Sequence, residues 1–261
     1  MASDGGEAPS QGTEQPRPTP TVEDYLAVIY VLTRDGQPVI GRRLAEWMEV
    51  SAPTVTATVQ RMVRDGWVTM ADDKSIHLTE AGHRAAASVV RRHMLTELLL
   101  ARVLGVPWSR VHEEAHKIEH DLSPETTARV AEVVSDSRVC PHGNPLPGYE
   151  AVTTGLLPLL EAEPGKRYVL ARVHEEIERD PRQMAFLEEQ GLVPGAEVEI
   201  VRLQPLGEMT RVRETISLRT ADREVALGVS VAARMWVAQP DDPGFGQQVR
   251  GDGTGRTRTP M

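Results

Sequence analysis

The sequence predicts a mainly α chain with a small β-barrel towards its C-terminal end. Three observations support this class. Apolar residues recur at helical spacing through most of residues 21–134. Helix-start signals punctuate that pattern, as in Ser51-Ala-Pro53 and Ser123-Pro124-Glu125, where a hydroxyl acceptor precedes a proline in the first turn. From about residue 167 the pattern changes to short, β-branched, partly alternating runs separated by Gly/Pro turns such as Val193-Pro-Gly195.

Each element follows from its own residues. Residues 1–20 hold four prolines and no Ile, Leu, Val or aromatic residue, so a disordered lead is expected there. Leu26, Ile29, Tyr30 and Thr33 recur at i, i+3, i+4, i+7 and predict a first helix, ended by Arg34-Asp-Gly36. A short amphipathic run over 41–50 predicts a second, and Ser51 caps a third that runs to about Arg64. Residues 67–70 and 76–78 read as two short strands around the polar turn 71–75, and Thr79 caps the next helix. The segment 85–134 reads as helix, broken at Gly105-Val-Pro107, with Ser109 expected to cap a helix through His120 and Ser123 one that ends near Arg138. Residues 140–148 form a turn-rich exit, and strands are expected in 168–175, 196–204, 210–219 and 235–238. The expected division is a lead (1–20), a first domain (21–84), a helical domain (85–148), a linker (149–165), a barrel of about 70 residues (166–238) and a disordered tail (239–261).

Composition narrows the function. The chain of 261 residues carries 29 Lys+Arg against 38 Asp+Glu, a net charge of −9 that excludes a uniformly basic nucleic-acid coat but leaves room for a local basic patch. The one cysteine, Cys140, cannot form an internal disulfide, which points to a reducing compartment. Neither a leader pattern nor a run near the ~20 apolar residues of a membrane span is present, so a cytoplasmic protein without a membrane partner is expected. Scarce aromatics argue against stacking of single-stranded bases.

Three helices followed by a two-stranded ribbon is the order of a winged helix-turn-helix, whose third helix enters the major groove of double-stranded DNA. Ser51, Thr54, Thr56, Thr58 and Gln60 are short polar side chains able to reach bases or phosphates, and Pro53 and Ala57 suit thymine methyls. Between Arg42 and Arg92 eight Lys/Arg face six acids, a net of +2 inside a −9 chain. The competing reading is a solvated helical face without DNA.

Five of the eight histidines, His83, His93, His112, His116 and His120, fall in the helical segment. His93 and Glu97 are i, i+4, as are His112 with His116 and His116 with His120, and Glu119 is i+3 from His116, so imidazole and carboxylate share a stripe. That ligand set suits Mn²⁺, Fe²⁺, Co²⁺, Ni²⁺ or Zn²⁺. His112-Glu113-Glu114-Ala115-His116 is also a literal H-E-x-x-H, which would make Glu113 the base of a zinc hydrolase. The longer metzincin form fails at Glu119 and Leu122. A metal-independent regulator with a structural His/Glu stripe is the third reading.

Four stretches carry a family resemblance: residues 23–30 (EDYLAVIY), 51–66 (SAPTVTATVQRMVRDG), 111–120 (VHEEAHKIEH) and 141–148 (PHGNPLPG). Over about residues 21–238 the chain resembles the three-domain, iron- or manganese-sensing members of the diphtheria-toxin-repressor family. The resemblance implies a winged helix-turn-helix, a helical dimerisation domain and an SH3-like C-terminal domain, and a homodimeric, non-enzymatic repressor of metal-ion homeostasis that binds palindromic operators when loaded with Mn²⁺ or Fe²⁺. It implies two metal sites per subunit. The primary site would use Asp24, His116, Glu119 and His120; the ancillary site would use His93, Glu97 and His112, completed by Asp180 and Gln183 if residues 193–200 align without gaps. Groove-facing positions fall on Ser51, Pro53, Thr54, Thr56 and Ala57, beside Gln60. The chain departs from the iron sensors, which carry Met and Cys at Asp24 and His116, and from the manganese sensors, which carry carboxylates at Ala27 and His116.

Overall fold

The computed structural model describes residues 17–135, 137–204 and 215–240. The chain divides into two compact units, Met1–Ala87 and Ser88–Met261.

In the first unit, α1 (Pro20–Arg34) starts on Thr19, whose hydroxyl accepts from Val22 N, and carries Glu23 in its first turn and Arg34 in its last. Both charges oppose the helix dipole. Its apolar stripe, including Leu26, Ile29 and Leu32, is fully buried. Next come α2 (Gly41–Met48), which buries Leu44 and Trp47, and α3 (Ala52–Arg64), which buries Val55, Val59 and Met62. Ser51 caps α3 by accepting from Thr54 N, as its position before Pro53 predicts. The ribbon is β1 (Val68–Met70) against β2 (Ile76–Leu78), antiparallel, with Val68 opposite Leu78. Ile76 N donates to Val39 O at 2.9 Å and fastens the ribbon to the helices. The long α4 (Glu80–Arg102) begins here, with Thr79 Oγ1 accepting from Gly82 N at 3.0 Å. Gly82 has to be glycine, since a Cβ would meet Trp67 O at 1.9 Å. The unit is a winged helix-turn-helix.

The second unit opens with the rest of α4. A short 3-10 turn (Trp108–Arg110), α5 (Val111–Ile118), a second turn (Glu119–Asp121) and α6 (Pro124–Val133) follow. Ser123 caps α6 through Thr126 N. Ser109 does not cap its helix: the carboxylate of Glu188 accepts from Trp108 N at 2.9 Å, Ser109 N at 3.4 Å and Ser109 Oγ at 2.5 Å, so a distant acid replaces the local hydroxyl. The exit 139–146 closes on itself through a Val139–Pro145 bridge.

The barrel comprises β3 (Leu157–Pro158), β4 (Arg167–Val173), the short α7 (Glu175–Glu178), α8 (Pro181–Glu189), β5 (Glu197–Gln204), β6 (Thr215–Arg219), β7 (Glu224–Gly228), α9 (Val229–Ala232) and β8 (Met235–Ala238). Its strands form one antiparallel sheet in the order β3-β8-β4-β5-β6-β7. Register shifts in β4 and β5 mark the irregularities that bend such strands. Tyr168, Leu170, Val198, Ile200, Ile216, Leu218 and Val237 fill its core, an SH3-like arrangement.

The expected linker needs correction. The stretch 149–165 is not a free linker: Leu157 and Pro158 pair with Val237 and Trp236, and Leu159 and Ala162 are buried in the barrel core. Leu159 enters that core, Leu157 and Leu160 pack against it, and an edge strand tolerates proline. The first helix takes in Pro20, and residues 1–16 of the expected lead lie outside the described residues. The helices α7 and α8 and the strand β7 had no clear sequence signal. The expected strand over 210–219 is described only from Thr215, and residues 241–261 of the expected tail also lie outside the described residues. Among the described residues no helix is long and apolar enough to cross a membrane.

Candidate metal centre

The densest group of ligand-type side chains surrounds His93. Helical spacing stacks His93 and Glu97 one turn apart on α4, and Glu97 Oε1 lies 3.0 Å from His93 Nε2. From α5, His112 Nδ1 comes to 3.2 Å of the same oxygen and 3.0 Å of His93 Nε2. The barrel supplies Glu178 from α7, with Oε2 3.0 Å from His112 Nδ1. Donor atoms of His93, Glu97, His112 and Glu178 all lie within 4.8 Å of one another.

The electrostatics are those of a site built around charge. Burial works against the charged form of His93, but Glu119 and Glu97 outweigh it and hold its pKa well above the usual histidine range. Burial likewise opposes ionised Glu97, and His93 and His142 overcome it, holding that carboxyl well below the usual range. Glu97 Oε2 and His142 Nδ1 are nonetheless buried with no hydrogen-bond partner among the described residues. Such atoms are costly unless something satisfies them, and a divalent cation does so directly. The residues present therefore fit a metal ion.

A second group adjoins the first. Glu119 Oε1 lies 3.0 Å from His116 Nδ1 and 3.5 Å from His120 Nε2, while its Oε2 meets His93 Nδ1. Burial opposes the Glu119 carboxylate, yet His93 and His116 bring its pKa down to about 2. Donor atoms of His116, Glu119 and His120 lie within 4.8 Å of one another. Asp24 sits half-buried on α1 in the first unit.

The turn 140–146 contributes a third group that spacing analysis did not mark: Glu97, Cys140 and His142, all buried. Burial, with the negative charges of Glu97, Glu178 and Glu175, pushes the Cys140 thiol well above its usual pKa. Burial opposes charged His142, and Glu178 and Glu97 carry it up to about 9. Cys, His and Asn at alternating positions inside a glycine-bearing turn were the available signal. Gly143 has φ +85°, and a Cβ there would meet Ala171 O at 2.0 Å, so this turn lies flush against β4.

Not every expected residue joins a group. Asp180 caps α8, accepting from Arg182 N and Gln183 N, and its other oxygen accepts from Gln183 Nε2 at 3.0 Å. The pair is occupied with each other, and Glu178 stands in the ancillary group where Asp180 and Gln183 were expected. The H-E-x-x-H histidines also separate: His112 belongs with His93 and His116 with Glu119. Glu113 is held by Lys117 at 2.8 Å on the surface, so the hydrolase geometry is not formed.

In the first unit, Ser51, Pro53, Thr54, Thr56, Ala57 and Gln60 are all exposed on α3, while Val55 and Val59 face the core. Ser51 Oγ and Thr54 Oγ1 are 2.8 Å apart, and Thr56 Oγ1 donates to Ala52 O.

A winged helix-turn-helix in a chain that also carries buried imidazole–carboxylate groups defines the class of metal-dependent DNA-binding regulators. The comparisons agree. Residues 18–76 match the iron dependent repressor N-terminal DNA binding domain, 79–148 the iron dependent repressor metal binding and dimerisation domain, and 157–239 the FeoA domain. The chain is 36% identical over 222 residues to the iron-dependent repressor IdeR of Mycobacterium tuberculosis, covering 81% of this chain and 96% of that one. It is 36% identical over 192 residues to the diphtheria toxin repressor of Corynebacterium diphtheriae, covering 69% and 84%. Among solved structures, a manganese-dependent transcriptional repressor in complex with manganese superposes with a TM-score of 0.67 at 28% identity, covering 83% of this chain and 99% of that one. ScaR with bound Zn²⁺ gives 0.68 at 27% identity, covering 83% and 98%. The chain belongs to the iron-dependent repressor family.

Proposed function

We propose that this chain is a homodimeric repressor of metal-ion homeostasis genes, activated by Mn²⁺ or Fe²⁺ to bind a palindromic operator. The observation that carries the reading is the group of His93, Glu97, His112 and Glu178, in which α4, α5 and α7 converge on one enclosed set of nitrogen and oxygen donors. The working domains are 21–84 for DNA, 85–148 for metal and dimerisation, and 166–238 for the SH3-like part, whose strand β3 extends it backwards to 157. The protein acts in the cytoplasm, with operator DNA.

Asp24, His116, Glu119 and His120 would hold the primary ion, which supplies positive charge between carboxylates that otherwise repel. Asp24 belongs to the DNA-binding unit, so an ion held by these four residues would tie α1 to the helical domain and would set the spacing of two recognition helices on the palindrome. His93, Glu97, His112 and Glu178 would hold the ancillary ion. Glu178 takes the place first assigned to Asp180 and Gln183, and through it the barrel supports the active state. Val103, Leu104 and Val133 are exposed apolar side chains inside the segment that matches a dimerisation domain, which supports a homodimer. On α3, Ser51, Pro53, Thr54, Thr56, Ala57 and Gln60 would face the groove.

The test is a gel-shift titration of a palindromic promoter fragment with Mn²⁺, Fe²⁺, Co²⁺ and Zn²⁺ in turn. Mn²⁺ or Fe²⁺ should promote binding and a chelator abolish it; equal binding with and without metal sinks the mechanism. Coupling is reciprocal, so operator DNA should tighten metal binding by the same factor. Asp24→Ala and His116→Ala should abolish activation with the fold intact, and His93→Ala should weaken it less.

A further inference from the structure

Two donor sets meet on one pair of buried carboxylates. Glu97 comes from α4 and Glu178 from α7, and each side chain is 1% exposed. Glu97 Oε1 faces His93 Nε2 at 3.0 Å and His112 Nδ1 at 3.2 Å, and Glu178 Oε2 faces His112 Nδ1 at 3.0 Å. His142 approaches the same pair, its Nδ1 lying 3.4 Å from Glu178 Oε1, the oxygen other than the one that faces His112, and 3.6 Å from Glu97 Oε1. The buried Glu97 Oε2 has no hydrogen-bond partner among the described residues, and neither has His142 Nδ1.

The imidazole of His142 is set for ligation. Its Nε2 lies 3.2 Å from the carbonyl oxygen of Trp108, which can only accept, so Nε2 carries the proton and Nδ1 is the atom turned to the carboxylates. A backbone carbonyl behind the distal nitrogen is the usual support of a metal-bound histidine. Cys140 completes the set: donor atoms of Glu97, Cys140 and His142 lie within 4.8 Å of one another. This group and the one around His93 have Glu97 as their common member.

We infer that Glu97 and Glu178 bridge two cations, one also held by His93 and His112, the other by Cys140 and His142. The inference rests on the metal centre at His93 proposed above and adds a sulfur-bearing position to it. Carboxylates that offer one oxygen to each of two ions hold them about 3.5–4 Å apart. The donors differ in character, which sorts the ions. Imidazole with carboxylate suits Mn²⁺ or Fe²⁺, whereas thiolate, imidazole and carboxylate together suit Zn²⁺, Co²⁺ or Fe²⁺.

Cys140 is the chain's one cysteine, so thiolate-to-metal absorption reports this position alone. The full-length chain, stripped with a chelator, is titrated with Co²⁺. At saturation the wild type should show a thiolate-to-cobalt charge-transfer band in the near ultraviolet. Cys140→Ala should bind one Co²⁺ fewer and lose the band; His93→Ala should also bind one fewer but keep it. The wild-type Co²⁺ electron paramagnetic resonance signal should be weaker than the combined signals of the two variants, because bridged ions couple magnetically. A saturated wild type with no band overturns the inference. So does equal Co²⁺ stoichiometry in wild type and Cys140→Ala, which means one ion at most sits on the two carboxylates. Unchanged stoichiometry in His93→Ala removes the His93 centre itself, and the bridge with it. If a variant fails to fold, the wild type still decides: no band overturns the inference, and so does a Co²⁺ resonance signal as strong as that of the same number of isolated Co²⁺ ions.

Discussion

Asn144 donates its Nδ2 to Glu178 Oε1 at 2.6 Å. Its Oδ1 accepts from Arg172 Nε at 2.5 Å, and its Nδ2 also reaches Val173 O at 2.8 Å. Arg172 in turn lies 4.5 Å over the Trp236 ring. One amide in the turn between the helices and the barrel therefore orients a carboxylate of the metal group and reads the position of β4. Partners of this kind are worth about 10–100-fold in metal affinity. Calorimetric titration of Asn144→Ala with Mn²⁺ should show a loss of that order in the phase that His93→Ala removes. Unchanged affinity would limit Asn144 to holding the turn together.

Gly143 and Gly155 separate two costs of a side chain. Both have positive φ, +85° and +91°, but a Cβ on Gly143 strikes Ala171 O while one on Gly155 meets nothing within 4 Å. Gly155→Ala should cost about 1 kcal/mol of stability from backbone strain alone. Gly143→Ala should cost several times more in urea unfolding, because backbone must move. Equal costs would mean that the turn is free to lift from β4.

Ser51, the N-cap of α3, and Gln60 within it are both exposed but do different work. Ser51→Ala removes an N-cap, so thermal unfolding should show a loss of about 1 kcal/mol with or without DNA. Gln60→Ala touches no cap and should leave stability within about 0.5 kcal/mol. It should weaken operator binding by about 1–3 kcal/mol if the amide reads a base edge. Fluorescence anisotropy on operator and scrambled duplexes distinguishes the two, since loss of a base contact lowers only the operator affinity.

Glu188 carries the contact between the 3-10 turn at Trp108 and α8. Glu188→Ala leaves Trp108 N, Ser109 N and Ser109 Oγ without their acceptor, and should cost about 1–3 kcal/mol in denaturant unfolding. Ser109→Ala removes one of those donors and should cost less. If Ser109→Ala proved the more damaging change, the hydroxyl would be acting as a helix cap after all.

How far the sequence could be read depended on the range of the interaction. The first four helices and the ribbon were legible because periodicity, capping hydroxyls and turns act within a few residues, as Ser51, Thr79 and Ser123 show. Ser109 was misjudged for the same reason: it carries the local signal of a cap, but an acid 79 residues away occupies the position. Leu159 belongs to the barrel core although turns surround it, because β8, which its segment joins, lies almost eighty residues further on. The candidate site divides along the same line. Within α4 and α5 the i, i+4 spacing marked His93, Glu97, His112 and His116, whereas Asp180, chosen by alignment, is used up in capping α8.

By itself the sequence determined the order of elements, the reading helix and its exposed polar face, and the imidazole–carboxylate stripes, since helix geometry alone puts residues three and four apart on one face. Only the tertiary structure decided which stripe residues share a point in space. It parted His112 from His116, placed Glu178 with His93, Glu97 and His112, and brought Cys140 and His142 close to Glu97. The physical reason is that ligand sets depend on directions and distances between segments far apart in the chain. Those are set by how α5, the turn at Gly143 and α7 pack, and no spacing along one helix encodes them.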